Sequence, residues 1–176
     1  NEISDLGIQF ESNISNHKDE LIVGEKEMEG LPEDYKKERK MEDGGYKIEL
    51  NYPSYFPFMK YSRSDWARKE LSKKFKNIAA DKNLDILPKL LKKRKELARL
   101  LGYESFASYK LENRMAKKPS TVWNFEQTIH TEVKEKARKD YQEILRKKQE
   151  HDEGDAQKIN LWETTFYTTR LLEEEY

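Results

Sequence analysis

The sequence predicts a mainly α-helical fold, a multi-helix array with one short β-strand or hairpin. Three observations predict it. Apolar residues recur every three or four positions through most of the 176 residues, one stretch alternates apolar and polar side chains, and the strand former Val occurs only three times. Charged residues make up 39% and hydrophobic residues 35%, while 34 Lys and Arg balance 34 Asp and Glu. A disordered chain of this hydrophobicity would carry a large net charge, so narrow apolar stripes with wide solvated faces are expected instead.

The elements follow in order. Ile3, Leu6, Phe10, Ile14 and Leu21 predict a first helix from about residue 2 into the low twenties. Gly30 and Pro32 bracket a break, a short charged helix is expected over residues 33–40, and Asp43-Gly44-Gly45 signals a turn. Tyr46, Ile48, Leu50 and Tyr52 alternate with polar residues, which predicts a strand over 46–52 that Pro53 and Pro57 stop. Its partner is either Leu21-Ile22-Val23 or polypeptide outside this sequence. Ser62-Arg63-Ser64-Asp65 resembles a capping box, opening a helix with the buried stripe Trp66, Leu71, Phe75 and Ile78.

The next helix carries Leu87, Leu90, Leu91, Leu97 and Leu101, with Asp85 as its expected cap, Pro88 in its first turn and Gly102 as its stop. Ser105 caps a short helix to about residue 117, and Pro119 opens a long one. The stripe of that long helix is Val122, Phe125, Ile129, Val133, Ala137, Tyr141 and Ile144, and Gly154 ends it. A last helix bears Ile159, Trp162, Phe166 and Leu171 or Leu172. Residues 1–61 thus form a helix, a turn-rich region and a strand with an aromatic segment. Residues 62–176 form a helical array, and the two together are expected to be one fragment of a larger domain. Asn1 in place of Met, and the Glu173–Tyr176 run without a Gly or Pro stop, lead us to expect an internal piece of a longer protein.

Several chemistries find no support in the pattern. There is no Cys, which removes disulfides and thiolate sites. His17, His130 and His151 fall on separate elements, and neither His130-Thr131-Glu132 nor His151-Asp152-Glu153 has the second His that places two imidazoles on one helical face. Ser62, Ser105 and Ser120 sit where helices begin and read as caps. Gly-rich phosphate loops and a nucleophile elbow are missing from the sequence. Lys92-Lys93-Arg94-Lys95 lies within a leucine-patterned helix and reads as a solvated face. Zero net charge argues against a nucleic-acid partner, and no apolar run approaches the length of a membrane span, so neither a nucleic-acid nor a membrane partner is expected. Catalytic, cofactor-binding and metal-ligating residues are therefore expected to be none.

The run Tyr52-Pro53-Ser54-Tyr55-Phe56-Pro57-Phe58-Met59-Lys60-Tyr61 is the most unusual local feature. As an extended segment dense in aromatics, it can either line a groove for peptide side chains or wedge the strand against the helices.

A family resemblance enters through ordered phrases. They are Ser4-Asp-Leu-Gly-Ile-Gln-Phe10, Glu29-Gly-Leu-Pro-Glu-Asp34, Tyr46-Lys-Ile-Glu-Leu-Asn-Tyr-Pro-Ser-Tyr-Phe-Pro57, Leu100-Leu-Gly-Tyr-Glu-Ser-Phe106 running on to Lys117, Thr121-Val-Trp-Asn-Phe125 and Ile159-Asn-Leu-Trp-Glu163. In order and spacing they resemble the thimet oligopeptidase, neurolysin and oligopeptidase A family of zinc metallopeptidases. The resemblance implies a parent hydrolase that degrades short peptides with a zinc-bound water. The family's zinc-binding histidines and catalytic glutamates match nothing here, so the resemblance implies a non-catalytic, inactive helical segment of a channel wall. Zinc is then expected only in the parent, and Tyr52, Tyr55, Phe56 and Tyr61 are the candidate channel-lining residues. Short peptides and the rest of the parent polypeptide are the expected partners, in an intracellular, cytoplasmic setting with the mitochondrial matrix also compatible. The rival expectation is a stand-alone helical protein-interaction module.

Overall fold

Residues 1–152 and 154–175 are described by a computed structural model, and within them helix dominates as the periodicity predicts. Glu153 of the His151-Asp152-Glu153 run and Tyr176 lie outside the described residues. The chain forms two units, one from Asn1–His17 with Ala79–Ala137, the other from Lys18–Ile78 with Arg138 onward.

In the first unit, α1 (Glu2–Ser15) packs on α5 (Ala80–Leu100). Asn1 caps α1, its side chain accepting from the Ile3 amide. The helix ends earlier than its apolar line suggested, and Leu21 belongs instead to a strand. Asn83 joins the pair of helices: its Nδ2 donates to the Phe10 carbonyl at 3.0 Å, and its Oδ1 accepts from Asn13 at 2.9 Å. The start of α5 corrects the sequence expectation. Ala79, not Asp85, holds the cap position in a left-handed conformation, so Pro88 lies in the helix interior rather than its first turn. The proline forfeits one backbone hydrogen bond, a loss offset by burying Asn83, Ile86 and Leu90 around it.

Gly102 stops α5 as predicted. At φ +80° it lets the Tyr103 amide reach the Ala98 carbonyl and its own amide reach that of Arg99. Ser105 caps α6 (Phe106–Leu111), which is shorter than expected because single-turn bonds, Arg114 to Leu111 and Lys117 to Arg114, take over and Lys117 adopts positive φ. Pro119 then opens α7 (Pro119–His151), 33 residues and roughly 50 Å long at 1.5 Å per residue.

In the second unit, β1 (Glu20–Val23) pairs antiparallel with β2 (Tyr46–Glu49), Leu21 opposite Ile48 and Val23 opposite Tyr46. Of the two partners open to the strand, the internal one is used. Alternation buries Leu21, Val23, Tyr46 and Ile48 on one face. Between the strands lie a 3-10 turn, Lys26–Met28, and α2 (Glu33–Arg39). The strand is shorter than predicted, and the segment after it is not extended: Tyr52–Tyr61 is helix α3. Asn51 supplies the reason, since its side chain accepts from the Ser54 amide and starts a helix. Pro53 falls in the first turn, where its missing N–H costs nothing. Pro57 is carried inside the helix because Tyr55, Phe58 and Met59 are buried around it.

Helix α4 (Asp65–Lys76) is capped by Ser64. Ser62, the expected cap, instead donates to the Glu27 carbonyl at 2.7 Å and accepts from the Ser64 amide. The buried stripe is also rotated: Trp66 is 57% exposed, while Ala67, Arg68, Leu71 and Ser72 are buried. The last helix, α8 (Thr164–Glu175), starts after Ile159 and Trp162 rather than containing them.

Candidate functional site

The residues with the most to offer a ligand gather where α3 and α8 pack together in the second unit. α3 is fixed at both ends. At its start, the buried Tyr35 hydroxyl donates to the Ser54 carbonyl at 2.6 Å, and burial pushes the Tyr35 phenol up to about 12, with Arg39 opposing. At its end, Gly30 abuts the Tyr61 carbonyl. A Cβ there would stand 2.3 Å from that oxygen, and the φ of +89° already favours glycine.

α8 is held from three sides. Arg68, only 2% exposed, lays its guanidinium 4.1 Å from the centre of the Phe166 ring, donates to the Ser62 carbonyl and pairs with Asp65 at 3.2 Å. Burial lowers the Arg68 pKa, with Asp65 working against it. Trp162 donates to the same Asp65 carboxylate at 2.9 Å. Glu163, just before α8, receives the buried Lys148 ammonium on both oxygens at 2.7 and 2.8 Å and also accepts from the Asn160 amide. Tyr167 donates to both Asp152 oxygens, and His151 Nδ1 lies 2.9 Å from one of them. Burial opposes ionisation of Asp152, but hydrogen bonds with His151 and Tyr167 outweigh it and hold the carboxyl below its usual range. Burial and Asp152 together push the Tyr167 phenol upward.

Phe166 and Tyr167 therefore point into the unit, and the opposite side of α8 faces a groove of about 780 Å³. Thr164, Thr165, Thr168, Thr169 and Leu172 line it with Tyr61 of α3, and Lys60 and Glu173 add one charge of each sign. Thr169 donates to the Thr165 carbonyl at 2.8 Å, which leaves its oxygen able to accept. An apolar wall with hydroxyls and an open mouth suits an extended polar chain better than a compact ligand.

The four predicted lining residues are divided. Tyr61 lies in the groove. Tyr55 is buried, stacked on Phe75 of α4 with ring centres 3.9 Å apart. Tyr52 and Phe56 stand exposed around that stack, their ring centres 5.4 Å from each other. The α8 threonines and the buried cation Arg68 escaped the sequence reading. Their signals were small polar residues at i and i+4, and Asp65 three residues before Arg68.

Among the described residues, no three His, Asp or Glu side chains gather closely enough to hold a metal ion, so the residues present do not fit zinc. Likewise, no helix among them is long and apolar enough to cross a membrane.

Comparison with known proteins gives the class. Residues 58–176 match the family model of peptidase family M3, and the chain belongs to that family. It is 30% identical to saccharolysin of Saccharomyces cerevisiae over 99% of this chain and 26% of that protein. To oligopeptidase A of Salmonella typhimurium it is 32% identical over 70% of this chain and 20% of that protein. Identity to the thimet-like oligopeptidase of Dictyostelium discoideum is 33%, over 72% of this chain and 19% of the relative. The chain thus spans about a fifth to a quarter of the length of these relatives.

Proposed function

We propose that this chain is a helical, non-catalytic part of a longer zinc-dependent peptidase that hydrolyses short peptides, and that it contributes to the wall of the channel through which they reach the metal. The observation carrying this reading is the family match over 58–176 in a chain that covers only about a quarter of saccharolysin. Zinc, the activated water and the bond-breaking step belong to polypeptide outside these residues. The chain's own share is to bind and orient. Tyr52, Phe56 and Tyr61 offer aromatic faces for substrate side chains; Tyr55 packs edge-on against Phe56, and Tyr52 leans on Phe56 and Phe75. The α8 threonines offer hydroxyls to a peptide backbone.

Short peptides are thus the substrate class, with no nucleic-acid or membrane partner. An intracellular location is in keeping with a relative named as an organellar, chloroplastic/mitochondrial oligopeptidase A. Two measurements test the reading. The purified 176-residue chain is expected to hold no stoichiometric zinc and to leave a fluorogenic peptide uncut, whereas the polypeptide encoded by the whole gene is expected to hold zinc and to cut the peptide. Zinc or turnover in the short chain, or their absence in the long one, refutes it.

A further inference from the structure

Helix α7 carries an apolar stripe that stands in water. From Trp123 to Ala137 every residue of this helix is exposed, yet Val122, Phe125, Ile129 and Val133 recur at spacings of three, four and four and so share one face. Phe125 is 62% exposed and Val133 50%, with Trp123 alongside at 73%. A helix polar all round would need no explanation. One that presents branched and aromatic residues in register to water is a face made to be covered. Within its own unit no element packs along it.

We propose that the Val122–Phe125–Ile129–Val133 face of α7 is the docking surface for an amphipathic helix of the same parent polypeptide, from sequence outside these 176 residues. The occupant follows from length. The stretch matched by the family model contains all of α7, while about three-quarters of saccharolysin lies outside the region this chain matches. In a family member the covering surface is therefore available in the same molecule, at an effective concentration no second copy reaches. Its chemistry is set by the face: apolar residues at three- and four-residue spacing, with Lys or Arg where they meet Glu126 and Glu132, which border the stripe on either side.

This inference rests on the proposal that a longer parent exists. The test places the photo-crosslinker p-benzoylphenylalanine at position 125 or 129 of the polypeptide encoded by the whole gene and maps the cross-links by mass spectrometry. Cross-links from α7 to the same molecule outside these 176 residues are expected. Cross-links to a second molecule or within the 176 residues, or none at all, overturn the proposal. Ile129→Glu, compared with Ile129→Leu, should lower the Tm of the long polypeptide by about 4 °C or more while moving that of the 176-residue chain by about 1 °C or less. An equal response in both overturns it as well. The two readings fail separately. A gene without a zinc site sinks the peptidase proposal, whereas a zinc-loaded parent with a cross-link-free α7 sinks only the docking surface.

Discussion

The two units of the chain use similar amounts of apolar sequence in opposite ways. In the second unit, Met28, Ile48, Phe58, Leu71 and Phe166 are buried essentially completely, and even the charged Arg68, Lys148 and Glu163 are enclosed with partners. In the first, α1 has no buried residue, and Leu84, Leu91, Leu100, Met115, Trp123 and Phe125 stand in water. Amphipathic periodicity is present in both. Apolar patterning reports that a helix has an inside, but not whether the surface it faces belongs to the same stretch of sequence.

That contrast can be broken at its strongest point. Phe58→Ala, in the closed core, should cost about 3–5 kcal/mol. Phe125→Ala, on the uncovered face of α7, should change stability by no more than about 0.5 kcal/mol. Urea denaturation of the 176-residue chain measures both, and equal losses would mean that the units do not differ. Next in size is the buried ion pair. Glu163→Gln leaves the Lys148 ammonium enclosed with a neutral partner, and a loss of about 3 kcal/mol is expected. Replacing both partners, as Lys148→Met with Glu163→Leu, should recover much of it, which a double-mutant cycle would read out.

A smaller effect appears at alkaline pH. Because burial raises the Tyr35 phenol to about 12 from 10, the folded state keeps a proton that the unfolded chain releases. The residue's share of stability is then fully present below pH 10 and is lost as pH rises through about 12. Wild type should exceed Tyr35→Phe in stability at pH 8, and that gap should narrow between pH 10 and 12; a constant gap would contradict the assignment. Smallest is the cap of α3. Asn51→Ala should cost about 1 kcal/mol in thermal unfolding, and Asn51→Asp should restore most of it.

Where the sequence misled, a local signal was outvoted by packing or by a cap elsewhere in the segment. Pro53 and Pro57 argue against regular structure, yet Asn51 starts a helix there and burial of Phe58 and Met59 sustains it. Pro88 argues for a helix start near Asp85, yet Asn83 ties the chain to α1 before that point. Of the candidate site, Tyr61 was legible because aromatic density stands out in any sequence. The threonines of α8 were not, since Thr residues acquire a common purpose only once Phe166 and Tyr167 decide which side of the helix faces inward.

The order of residues by itself determined the helical class, the Gly102 stop, the Ser105 and Pro119 helix starts and the family, because these depend on spacing, backbone freedom and ordered phrases along the chain. Tertiary structure decided which stripe of α4 is buried, that residues 52–61 coil rather than extend, and that the apolar face of α7 is left open within its own unit. Each of those outcomes is a competition between surfaces distant in sequence, and burial is settled only when the competing surfaces meet.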